Sequence, residues 1–137
     1  MKQLLNGFIL PMRTLTALSY SITLIAKHSE IICYHCQQAV EKYLKAFLCY
    51  NGVIPPKIHV LETLCALCSE FDSSFNNIAR DCAYLSPFAV QARYPLEMEI
   101  TNINIVKSLE IAQKVKDFTP ITELKAKLIN EKGDGNV

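Results

Sequence analysis

Residues 30–51, "EIICYHCQQAVEKYLKAFLCYN", constrain the fold of this chain more than any other stretch. Cys36, Ala39, Val40, Tyr43, Phe47 and Tyr50 fall on one side of a 3.6-residue wheel. Tyr34, Gln38, Glu41, Lys42 and Lys45 fall on the other, so the stretch reads as an amphipathic helix that must lay its apolar stripe on a partner. Asn51-Gly52 supplies a C-terminal stop, and Pro55-Pro56 forbids continuation.

Four further segments share that period. The spacing predicts a helix over 12–27 from Leu15, Leu18, Ile22, Ile25 and Ala26, with Pro11 where a helix can start. Leu61, Leu64, Cys65, Cys68 and Phe71 form one stripe of a helix over 59–71. Phe75, Ile78, Ala79, Cys82 and Leu85 give the apolar face of a less regular one over 74–86, with a break or bend after it at Pro87 and Arg93-Tyr94-Pro95. The fifth covers 102–118, capped by Thr101 or Asn102, and Pro120 ends it. No segment alternates with period two for long, and only four glycines punctuate the 137 residues. That length suits one hydrophobic core. The expectation is all-α: an antiparallel up-and-down bundle of four to five helices over 1–120. A C-terminal tail, 121–137, would hold a short helix near 123–131 and then fray.

The formal net charge is +1 with no run of like charges, which is not the basic stripe of a dedicated nucleic-acid binder. "MKQLLNGFILPM" begins like a secretion signal, but Asn6, Gly7 and Pro11 interrupt its apolar run. No run of ~18 apolar residues calls for a membrane span. A cytoplasmic protein with reduced thiols is the expectation.

Two Cys-x-x-Cys pairs, Cys33/Cys36 and Cys65/Cys68, have the count of a four-thiolate zinc site. Both pairs sit inside helical patterns rather than on tight turns, and cysteine packs well as a small hydrophobe. The core reading is preferred, with no metal and no cofactor. No strand-to-helix junction precedes Cys33 to support a redox motif. His35 reads as a boundary residue and His28 as a helix-end residue. His59 follows "PPKI" and could cap the next helix, contact the second, or line a site.

The residues "YHCQQAVEKYLKAFLCYNG", then "PPKIHVLETL", then "LSPFAVQARYP" resemble the prokaryotic HEPN domain, from about His28 to Pro95 and loosely to Phe118. The resemblance implies a helical bundle that dimerises. It also implies a role in binding nucleotide or RNA, and a small nucleotidyltransferase as partner in a toxin–antitoxin-type system. Two departures matter. "RTLTALSYSITLIAKH" carries no acid where the family's first helix commonly has one. Ribonuclease members place a His four to six residues after an Arg, and none of Arg13, Arg80 and Arg93 has one. The activity is therefore not carried over, and a non-catalytic domain is expected. A HEPN ribonuclease with an atypical site and a thiolate metal protein stand as alternatives.

The candidate ligand-binding residues are Gln38, Glu41, Lys42, Lys45, His59, Arg93 and Tyr94. On the bland reading, Glu41 and Lys45 are an i,i+4 pair on a solvated face. On the rival reading, Lys42 and Lys45 meet phosphates, Gln38 reads a base or ribose, and Arg93 supplies a bidentate fork. A third reading pairs Arg93 with Glu41, making Arg-Tyr-Pro architectural. No catalytic residue is assigned.

Overall fold

The structure, a computed structural model, describes residues 29–91 and 100–134. The helix expected over 12–27 and the Arg93-Tyr94-Pro95 segment lie outside the described residues. Six α-helices and one 3-10 helix account for most of what is described: α1 (Ser29–Tyr50), α2 (Leu61–Ser69), the 3-10 helix (Ser73–Ile78), α3 (Ala79–Leu85), α4 (Phe88–Gln91), α5 (Asn102–Lys116) and α6 (Thr119–Asp134). No strand occurs among the described residues. The all-α helical bundle holds.

α1 is the central element. Asn51-Gly52 stops it as the sequence implies. Gly52 takes φ +80, its N–H bonds the Cys49 carbonyl, and the Val53 N–H bonds that of Leu48. That pair of bonds is a Schellman cap, which needs a residue free to enter the left-handed region. α1 is buried over a far wider arc than its apolar stripe. Ile32, Leu44 and Leu48 are as buried as Cys36 and Tyr43, and so are Gln37 and Glu41. Neighbours on several sides explain it: α2, α3, α4, α5 and α6 all touch this helix.

The connection after Gly52 runs back along α1, so α2 starts beside the middle of that helix. Gln37 reaches the His59 carbonyl there, and Cys68 reaches that of Leu44 further on. α1 and α2 thus point the same way. α3 runs against α2, since Cys65 bonds the Phe75 carbonyl and Leu61 bonds Ser86 at opposite ends. α5 lies along α1 in the same sense, with Ser108 beside Cys33 and the charge of Asp117 felt at Tyr43. Thr101 N-caps α5 in a capping box, in which Asn104 Oδ1 accepts the Thr101 N–H at 2.9 Å.

Three sequence expectations need correction. The helix expected over 59–71 is Leu61–Ser69, so His59 precedes it and Phe71 lies past its end, 46% exposed rather than on the buried stripe. The segment 74–86 is a 3-10 turn followed by α3; Asp72 accepts the Ser74 N–H at 3.0 Å and starts the tighter turn. Residues from 119 onward do not form a tail with a short helix. α6 spans 16 residues, and Ile121, Leu124 and Leu128 join the core. Pro120 ends α5 but also sits in the first turn of α6, where its missing N–H costs nothing.

Candidate functional site

Four of the seven candidate residues meet on one face of α1. Glu41 is the hub. Its side chain is only 7% exposed although it was read as a surface residue. Oε1 lies 2.8 Å from Nδ1 of His59, and Oε2 lies 3.5 Å from Nζ of Lys45. Gln37 Nε2 approaches Oε1 at 3.4 Å and donates to the His59 carbonyl at 3.0 Å. Gln38 donates to Gln37 Oε1 at 2.7 Å.

An ionised carboxylate in an apolar core is costly unless partners compensate it. His59, Lys45 and Gln37 are those partners. A carboxylate only accepts hydrogen bonds, so Nδ1 of His59 carries the proton. In the neutral ring Nε2 is then the acceptor, and 58% of this side chain is in solvent. The backbone is held as firmly as the ring. The His59 carbonyl is fixed by Gln37, and the Leu61 N–H by Ser86 Oγ at 2.9 Å.

Lys42 stands exposed on α1, outside this hydrogen-bonded network. Arg93 and Tyr94 lie outside the described residues, so the pairing of Arg93 with Glu41 stays a proposal. Gln37 and Ser86 were missed. Gln37 stands four residues before Glu41, a spacing that puts the two side chains together on a helix, but its neighbour Gln38 drew the polar reading. Nothing in the sequence alone links Ser86 to Leu61.

All six cysteines fall among the described residues. Cys33, Cys36, Cys65, Cys68 and Cys82 are buried and Cys49 is exposed. Burial pushes the Cys36 thiol up to about 12, and it raises Cys33 and Cys68 as well. Cys82 is raised by its hydrogen bond with Cys65 and by burial. A zinc ligand must be a thiolate; these four environments favour the protonated thiol, and only Cys65 is lowered, by its hydrogen bond with Cys82. Among the described residues no group of three or more His, Cys, Asp or Glu is placed to hold a metal ion. No described helix is long and apolar enough to cross a membrane.

Of the comparisons with known proteins, one bears on this architecture. No curated protein and no solved structure matches the chain. The family model described as HEPN domain matches residues 16–133, which takes in every described helix to within a residue of the end of α6. The chain belongs to the HEPN domain family.

Proposed function

We propose that this chain is a non-catalytic HEPN domain that binds a phosphate-bearing ligand, a nucleotide or an RNA, on the polar face of α1. The pairing we infer is of the toxin–antitoxin type, with a small nucleotidyltransferase as partner. The observation that carries the reading is the clamp on Glu41. Its carboxylate is engaged by His59 and Lys45, which leaves Lys42 as surplus positive charge on the same helix. Gln38 adds an amide beside them. Arginine and lysine supply most phosphate contacts in such ligands, while amides read bases. The non-catalytic part rests on the missing Arg-to-His spacing.

Titration with ATP, GTP and a short single-stranded RNA at fixed salt tests this. Saturable binding that weakens about three- to ten-fold in Lys42→Ala supports it. No binding, or binding indifferent to Lys42, refutes it.

A second copy of the chain is also part of the proposal. α5 presents Ile103, 76% exposed, and Val106, 51% exposed, on one shallow face with Asn102, Lys107 and Glu110. Adjacent exposed apolar side chains on a small protein suit an interface. Sedimentation of the wild type as a dimer and of Val106→Asp as a monomer is the expected result.

One observation favours an alternative, a ribonuclease with an atypical site. A buried carboxylate orients His59 through Nδ1, which is how a general base is held. RNA cleavage that survives purification and vanishes in His59→Ala would establish that reading over the first.

A further inference from the structure

The C-terminal end of α1, beyond the Glu41 clamp, forms one wall of a second concave feature. The last turn of α1, the corner between α2 and the 3-10 helix, and the first half of α6 enclose a cleft of about 170 Å³. Three aromatic rings line it: Phe47, Tyr50 and Phe71. Phe71 meets Phe47 edge-on with ring centroids 6.5 Å apart, yet remains nearly half exposed at the rim. Asp72, Glu123 and Lys127 supply the charges, which leaves the lining at a net −1.

Two features of this cleft favour a cation. The hydroxyl and backbone N–H of Ser74 hold the Asp72 carboxyl below its ordinary range, and it stays ionised. Most directly, the protein already places an ammonium there: Lys127 Nζ stands 5.9 Å from the centroid of the Tyr50 ring. The Tyr50 hydroxyl is held by Glu131 at 3.1 Å, which fixes that ring in place. Lys127 is exposed and, at that distance, near the outer reach of a cation–π contact, so it fills the position weakly and can be displaced.

We propose that this cleft is a binding site for an organic cation, an alkylammonium or guanidinium group, which displaces Lys127 and lies against the aromatic wall between Asp72 and Glu123. The inference is independent of the ligand proposed for the polar face of α1. The chemistry is the usual one for such groups: aromatic faces attract the charge while carboxylates orient it. A free polyamine-like amine and an arginine side chain share this chemistry, and the two probes separate recognition of the guanidinium from recognition of a free amine.

The full-length protein, 15N-labelled, is titrated with agmatine and separately with N-acetylarginine amide at constant ionic strength, with sodium chloride as the control. The expected result is saturable shifts confined to the cleft. Phe71→Leu keeps an apolar side chain but removes the ring, and should weaken binding roughly three- to ten-fold. Glu123→Gln should weaken it as well, and Lys127→Gln should tighten it by vacating the position. Binding of both probes assigns recognition to the guanidinium whatever carries it, while agmatine alone assigns it to a free amine. Non-saturating shifts with both probes overturn the proposal. So does wild-type affinity in Phe71→Leu, because non-specific attraction to carboxylates does not depend on that ring.

Discussion

The contact between His59 and Glu41 joins two segments 18 residues apart, and its strength can be worked from the structure. A hydrogen bond to a charged group is worth about 1.5–3 kcal/mol when sheltered. Exposed pairs are worth about 0–1 kcal/mol. Here the carboxylate is sheltered and the imidazole is 58% exposed, so the coupling should fall between, at about 1–1.5 kcal/mol. Glu41→Gln also weakens the Lys45 contact, an i,i+4 pair of about 0.3–0.5 kcal/mol. The single change Glu41→Gln should therefore cost about 1.5–2 kcal/mol, and His59→Ala about 1–1.5 kcal/mol. The double variant should lose about 1–1.5 kcal/mol less than their sum. Urea unfolding followed by circular dichroism at 222 nm measures all four corners of the cycle. A parallel cycle on Glu41 and Lys45 serves as the internal control and should give no more than about 0.5 kcal/mol. A Glu41–His59 coupling within about 0.3 kcal/mol of zero would refute the reasoning, since independent sites add to that tolerance.

Thiol chemistry tests the core reading of the cysteines: one of the six thiols, Cys49, should react with an aromatic disulfide in the native state, and the other five only on unfolding. Helicity should also survive a strong chelator, where a four-thiolate zinc protein would lose it. Leu128→Ala should destabilise by about 2–5 kcal/mol, because this side chain is fully buried and leaves a cavity; a change within 0.5 kcal/mol would detach α6 from the core. For Asp72 the folded carboxyl titrates below its ordinary value, so its contribution is present above that value and is lost as pH falls through the lower, folded one. Asp72→Asn, which can still cap, should flatten the acid limb of stability against pH relative to the wild type; an unchanged limb would contradict the Ser74 hydrogen bonds.

Much of the architecture was legible because it follows from local pattern. The stripe through Cys36, Tyr43 and Phe47, the Asn51-Gly52 stop and the Thr101 cap each depend on residues within a few positions of one another. What was not legible depends on where the chain returns. Glu41 lies on the polar side of its wheel, and the backward run of residues 53–60 along α1 brings His59 to its carboxylate. Phe71 kept the helical period, but α2 ends at Ser69, so the residue turns onto the corner instead of the core. Pro120 was read as a terminator, and the same chemistry also starts α6. The site was half legible for the same reason. The type and spacing of Gln38, Lys42 and Lys45 point outward from one helix. The burial of Gln37 and the coupling of Glu41 to a residue before α2 are tertiary facts.

The central claim is that the polar face of α1 binds a phosphate-bearing ligand without cleaving it. Isothermal titration of the wild-type protein and Lys42→Ala with a short single-stranded RNA tests it most directly, with gel analysis of the RNA recovered from the cell. The account predicts saturable heat that weakens in Lys42→Ala and an RNA returned intact. RNA cut by the wild type and spared by His59→Ala, or binding that ignores Lys42, would contradict it.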